Sequence, residues 1–235
     1  GCLDNGINVM LFSDNVTIEE EKALKTYAYE RELLVMGPDC GTAIVNHVPL
    51  AFANVVRSGD IGIVAASGTG TQEVSSIIDQ LGGGVSQVLG TGGRDLKKEI
   101  GGLMMKLGLD ALINDPKTKV IVLISKPPAK EIATEILGIA AKAGKPVVVN
   151  FIGGDRKEIE SFGLTAAVSL EDAAHKAVAI SKGKPVTDFT EFTMGNDKAD
   201  ALAKEIAGKM AKGQKYVRGF YTGGTLCDEA MKLMI

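Results

Sequence analysis

Asp60-Ile61-Gly62-Ile63-Val64-Ala65-Ala66 runs directly into Ser67-Gly68-Thr69-Gly70-Thr71, and Val74, Ile77, Ile78 and Leu81 follow. The first stretch is an apolar run of strand length. The last four residues fall at i, i+3, i+4 and i+7, the apolar stripe of a helix packed on a sheet. The Gly/Ser/Thr segment between them is therefore read as a strand-to-helix turn.

The alternation continues on both sides. Ile7 to Phe12 is a short apolar run, Ile18 to Glu32 holds good helix formers, and Leu33 to Met36 is a second run closed by Gly37-Pro38-Asp39-Cys40-Gly41. Leu50 to Asn54 is read as a further short strand. Downstream, Val85 to Leu89 ends at Gly90-Thr91-Gly92-Gly93-Arg94-Asp95, and a helix is expected from there to about Leu107. Val120 to Ile124 reads as a strand buried on both faces and stops at Ser125-Lys126-Pro127-Pro128. Ala129 to Ala143 is expected to be helical, Val147 to Phe151 a buried strand, and Ser169-Leu170-Glu171-Asp172 the capped start of a helix through Ile180. Together these predict an α/β fold with a doubly wound parallel sheet, in which ligands bind beyond the carboxyl ends of the strands. The loops at 37, 67, 92, 126 and 152 should share that edge.

From Ser181 to Asn196 the periodicity fails and a linker is expected. A helix near Asp197 to Lys212, a strand over Val217 to Tyr221 and a last helix follow. Gly223-Gly224-Thr225 before Asp228-Glu229-Ala230 repeats the pattern of Ser67-Gly68-Thr69 before Gln72-Glu73-Val74, by duplication or by chance.

The chain has 235 residues, 26 basic and 29 acidic, and 45% hydrophobic content, enough for a substantial core. A net charge of −3 gives no basic field for nucleic acid. No run approaches the length of a membrane span, and the N-terminus does not read as a secretion signal. Cys2, Cys40 and Cys227 are widely spaced without a CxxC pair, which suggests neither disulfides nor a metal site and fits a reducing cytoplasm. Because residue 1 is glycine and a strand follows at once, the chain is expected to be a piece of a longer polypeptide.

Ser67, Gly68, Thr69, Gly70 and Thr71 would offer phosphate the unpaired amides and positive dipole end of a helix, or would simply form a capped turn. No Walker sequence is present, and GxG at 68–70 lacks the rest of a dinucleotide fingerprint. Gly92 and Gly93 permit close backbone approach, and Arg94 would fork onto an anion or pair with Asp95. Lys126, on a stiff turn, would meet an anion or stay solvated. Cys40 would be a nucleophile or a buried small hydrophobe. His47 and His175 read as solvated.

Gly37-Pro38-Asp39-Cys40-Gly41, Gly59 to Val64 with Ser67-Gly68-Thr69, and Gly92-Gly93-Arg94-Asp95 resemble the α-subunit of succinyl-CoA synthetase and NDP-forming acyl-CoA synthetases. Phe12 to Thr17, Leu50 to Val55, Ser125 to Pro128 and Tyr221 to Leu226 resemble the FdrA family more specifically. The resemblance implies the tail of a CoA-binding-type Rossmann domain over 1–58 and a flavodoxin-like ligase domain over 59–182. A linker and helix over 183–215 and the start of a further ligase-like domain over 216–235 would follow. It also implies that Ser67-Gly68-Thr69 and Gly223-Gly224-Thr225 begin two helices aimed at one phosphate.

Two departures stand out. The loop after Val147 to Phe151, where synthetases carry a phosphohistidine, reads Ile152-Gly153-Gly154-Asp155, and Lys126 replaces the glutamate that orients that histidine. FdrA-type resemblance implies a component of oxamate carbamoyltransferase, in which Lys126 and Arg94 supply charge for catalysis. Gly223, Gly224 and Thr225 would complete the phosphate site, with Asp39, Cys40, Gly92 and Gly93 as further substrate contacts. The expected partners are a small anionic substrate and either like copies or partner subunits of a transferase complex. The alternatives are a ligase subunit lacking its own phosphohistidine, with CoA or a nucleotide as cofactor, and a non-catalytic scaffold.

Overall fold

The computed structural model describes residues 1–234. In chain order they form β1 (Val9–Met10), α1 (Ile18–Tyr29), β2 (Val35–Met36), β3 (Thr42–Val45), β4 (Val48–Ala51), β5 (Ser58–Ala66) and α2 (Gly68–Gln80). Then come β6 (Val85–Gly90), α3 (Leu103–Asn114), β7 (Val120–Ser125), α4 (Lys130–Ala140), β8 (Val147–Phe151), α5 (Arg156–Ser161), β9 (Thr165–Ala166) and α6 (Leu170–Ser181). The last two helices are α7 (Asn196–Lys209) and α8 (Gly224–Leu233).

The seven-stranded sheet has the order β4-β3-β6-β5-β7-β8-β9, and β6, β5, β7, β8 and β9 are parallel. Numbered within that parallel part, the order is 2-1-3-4-5, a doubly wound arrangement of the flavodoxin kind. One face packs on α3 and α4 through Met105, Leu109, Ile132 and Ile136. The other packs on α2 and α6 through Val74, Ile78, Ala173 and Ala177. β7 is buried along its whole length because helices cover it on both sides.

Register places the functional edge. Ala66 pairs with Ser125, Ala65 with Gly90, and Ser125 with Phe151, so the chain leaves β5, β6, β7 and β8 at one level. The strand order reverses at β5, where a crevice opens between the turns after β5 and β7. Ser67 and Lys126 stand on its two sides.

β1 and β2 form a separate two-stranded parallel sheet bridged by α1, whose start is a full capping box between Thr17 and Glu20. The antiparallel pair β3–β4, joined at Asn46 and His47 with both φ values positive, adds to the edge of β6 through Ile44 opposite Val88.

Several sequence expectations need correction. The helix expected from Arg94-Asp95 begins only at Leu103, after a stretch of turns and the left-handed glycines Gly101 and Gly102. Val217 to Tyr221 is not a strand; Val217 and Phe220 are exposed, and no strand among the described residues pairs with the segment. The repeated Gly/Thr pattern therefore opens a helix twice but follows a strand only once. No helix among the described residues is long and apolar enough to cross a membrane.

Candidate functional site

Ser67 is the N-cap of α2 and is extended in backbone; its hydroxyl accepts from the Gly70 amide at 3.0 Å. The same hydroxyl lies 2.7 Å from the Thr225 hydroxyl in the first turn of α8. Both residues are buried although 158 positions separate them. Gly223, the N-cap of α8, sits against Thr69 so closely that a Cβ at 223 would collide with the threonine side chain. The two helix starts are thus packed on one another.

Capping consumes part of what the turn offers. Gly70 and Thr71 are buried inside the first turn: the Gly70 amide goes to Ser67 Oγ, and Thr71 donates through its hydroxyl and its amide to the Ser67 carbonyl. The amides of Gly68 and Thr69 are left at α2. At α8, where Gly223 provides no side-chain cap, Gly224 and Thr225 contribute theirs.

These amides border a cleft of about 600 Å³ lined by Ser67, Gly68, Thr69, Lys126, Gly93, Asp39 and Thr222 to Thr225. Lys126 leans over α8, its Nζ 3.4 Å from the place a Gly224 Cβ would take, and its ammonium has no ion-pair or hydrogen-bond partner among the described residues. A half-buried ammonium beside two positive helix ends is repelled by both, so the arrangement favours an anion between them.

Arg94, Gly92 and Cys40 stand apart from this group. Arg94 is an ion-pair partner of Glu21, with Nε 2.8 Å from Oε2, and it donates to the Val16 carbonyl. The Arg94–Glu21 contact is close in distance without hydrogen-bond alignment, so Glu21 Oε2 makes no hydrogen bond. Asp95, once a possible partner for Arg94, instead accepts from the buried Lys25 ammonium at 2.8 Å and from the Met105 amide at the start of α3. Lys25 also donates to Glu21 and to the Thr91 carbonyl, so each of its protons has an acceptor. This buried network of opposite charges joins α1 to the loop after β6 and to α3; it is structural.

Gly92, at φ +88°, packs against the backbone of Gly37 and Pro38, where any Cβ would strike the Pro38 carbonyl. Its role is to let two strand-end loops touch. Cys40 is buried, its Sγ 3.5 Å from the Gly90 carbonyl, and burial pushes its thiol pKa up. That suits a small hydrophobe and not a nucleophile. His47 and His175 are exposed and outside the cleft, and no cluster of metal-binding side chains occurs among the described residues.

Phe12 and Phe52 complete the cleft mouth, an edge-to-face pair with ring centres 5.3 Å apart. Their places in the short apolar runs Ile7 to Phe12 and Leu50 to Asn54 made both read as strand residues, which hid their part in the cleft.

Residues 56–154 match the CoA binding domain family. Over 230 residues the chain is 50% identical to the uncharacterised protein YahF of Escherichia coli K12, covering 98% of this chain and 44% of that one. Succinate–CoA ligase subunit alpha 2 of Archaeoglobus fulgidus is 28% identical over 151 residues, 62% of this chain and 50% of its own. Among solved structures, the dinucleotide-forming acetyl-coenzyme A synthetase 1 of Ca. Korarchaeum cryptofilum, in complex with phosphate and ADP, superposes with a TM-score of 0.61 at 19% identity. That match covers 77% of this chain and 44% of the synthetase, and it shows the fold alone. The chain spans about half the length of the curated relatives it matches. Residues 56–154 thus resemble the CoA binding domain family, and the chain is similar to succinate–CoA ligase α-subunits, which supports the ligase-like alternative over carbamoyl transfer.

Coenzyme A and ADP each carry several phosphates. With one lysine and the carboxylates of Asp14 and Asp39 along its wall, the cleft does not match the full charge of either cofactor.

Proposed function

We propose that the chain is part of an acyl-CoA-ligase-like protein and that its cleft holds the phosphoryl group of an acyl phosphate without a phosphohistidine of its own. The observation that carries this reading is Lys126, unpaired among the described residues, standing over the joined starts of α2 and α8. The amides of Gly68, Thr69, Gly224 and Thr225 would receive phosphoryl oxygens. As a nucleophile attacks the acyl carbon, the bond from that carbon to the bridging oxygen breaks and phosphate leaves with its electrons. Lys126 and the helix ends would stabilise the charge that gathers there.

A second reading, carbamoyl transfer in an FdrA-type protein, draws on the same lysine in the place where the resemblance calls for an acidic residue. Carbamoyl phosphate is itself an acyl phosphate, so both readings share the phosphoryl site and differ in the acceptor. Either activity would involve the remainder of the longer protein or partner subunits.

Two assays on the full-length protein separate them: thioester formation from an acyl phosphate and coenzyme A, and phosphate-dependent cleavage of a carbamoyl donor such as oxalurate. Thioester formation that falls with Lys126→Ala supports the first reading, and carbamoyl phosphate formation supports the second. Absence of both, with no phosphate binding, contradicts both.

A further inference from the structure

Polar and glycine contacts fasten α8 to the rest of the protein. Gly223 lies on Thr69, Thr225 meets the Ser67 hydroxyl, Glu229 Oε1 accepts from the Leu170 amide at 2.7 Å, and the Lys232 side chain lies over Gly153. Within α8 Thr225 alone is buried, and in the chain leading to it no residue from Lys182 to Gly224 is buried, α7 included. A helix of ten residues is not stable on its own in water. The helical state of α8 is therefore its docked state, and the exposed connection before it lets it leave without disturbing the sheet.

Glu229 differs from the other fastenings because it can carry a charge in an unfavourable place. The Leu170 amide is the first of α6, one of the donors that a helix start leaves without an internal partner, and Glu229 supplies its acceptor from 59 residues away. The side chain is half-buried, and the charged groups that act on it, Glu73 of α2 and Glu171 of α6, are both acidic. Glu73 shares with Leu226, one turn before Glu229, the wall of a groove between α2 and α8. Glu171 accepts from the Thr193 amide, and His175 stands beyond it at 3.7 Å. On α8 itself Asp228 precedes Glu229 and Lys232 follows one turn on. Docking of α8 thus sets a third carboxyl beside two others. A protonated carboxyl keeps an oxygen for the Leu170 amide and removes the repulsion.

We propose that α8 is a detachable wall of the cleft and that the Glu229 carboxyl is its latch: neutral, it holds α8 on the start of α6, and ionised, it loosens the helix. Because Thr222 to Thr225 form one side of the cleft and Gly224 lies beside Lys126, release of α8 opens that side. Linkage gives the direction. Burial and the acidic neighbours raise the docked carboxyl above its ordinary 4.5, and undocking returns it toward that value. Docking is then firmest below 4.5 and weakens as pH rises through the raised value. The latch works in the same way whichever molecule the cleft holds.

The test is hydrogen exchange of the α8 amides without any ligand, expressed at each pH as protection relative to the unstructured chain. In wild type this protection should fall by roughly tenfold between about pH 5 and about pH 8, the factor for a proton held about ten times more tightly when α8 is docked. The amides of β5 and β7 should keep theirs. Glu229→Gln retains the acceptor, the size and the neighbouring His175, and its α8 should be protected equally across the range. Glu73→Gln, at an exposed position, should raise the protection of α8 at the upper end. Thr225→Val should lower it by the same factor at every pH. Wild-type protection of α8 that does not change with pH, or that falls as far in Glu229→Gln, overturns the latch. Protection of α8 equal to that of β5 would mean that the helix opens only with the whole fold, and overturns the detachable wall.

Discussion

The hydroxyls of Ser67 and Thr225 meet at 2.7 Å and join two helix starts that lie 158 residues apart in the chain. Since Ser67 also caps α2, this one side chain both ends a strand-to-helix turn and holds α8 over the crevice. Ser67→Ala should destabilise the fold by about 1–2 kcal/mol through loss of the cap and the shared hydrogen bond. Thr225→Val should cost less and show mainly as faster amide exchange in α8. Urea denaturation with exchange mass spectrometry separates the two; equal exchange of α8 in wild type and Thr225→Val would contradict the link.

Arg94 belongs to the buried network rather than to the cleft. Arg94→Ala leaves Glu21 with one charged partner fewer, and Lys25→Met leaves Glu21 and Asp95 without their shared ammonium. Removing Lys25 should cost about 3–5 kcal/mol, as for any buried pair broken on one side. Arg94 is partly exposed, so its removal should cost clearly less. Urea midpoints check the order, and phosphate affinity should be unchanged in any Arg94→Ala protein that remains folded.

Gly223 cannot accept a side chain while α8 stays packed on Thr69. Gly223→Ala should displace α8 and weaken phosphate binding, whereas Gly68→Ala, where the nearest atom to a new Cβ is 3.8 Å away, should change binding little. Titration of the two variants reads this directly; similar affinities would mean that α8 contributes nothing to the site.

Burial, with Glu73 and Glu171 nearby, holds the Glu229 carboxyl above the ordinary glutamate value even though it accepts from the Leu170 amide. A raised acid pKa means that the folded state binds the proton more tightly than the unfolded one. The resulting stabilisation is fully present below the ordinary value of 4.5 and is lost as pH rises through the raised one. Glu229→Gln should therefore flatten the fall in thermal stability on going from pH 4.5 upward. An unchanged pH profile would show that Glu229 ionises freely.

The central strands were legible because β7 opens with the apolar run Val120 to Ile124 and β8 with Val147 to Val149, and α2 because its stripe is strict. β3 and its hairpin were not, since Asn46-His47 lacks the glycine that usually marks a two-residue turn. The site was half legible. Ser67, Lys126 and Gly223 to Thr225 follow from glycine-rich helix starts and a strand-end cation. The fate of Arg94 was hidden because its partner Glu21 sits on α1, where a row of glutamates reads as solvent-facing until α3 and the loop after β6 close over it. Long-range ion pairs leave no periodic trace in a sequence.

The most direct measurement of the central claim is the affinity for inorganic phosphate of wild type and Lys126→Ala, titrated side by side at low ionic strength. Lys126 faces the cleft and supports no part of the core, so the variant should keep its thermal stability. Its affinity should drop by roughly tenfold or more, the effect of losing a charge-assisted contact. Phosphate binding of equal strength in the two proteins would contradict the account.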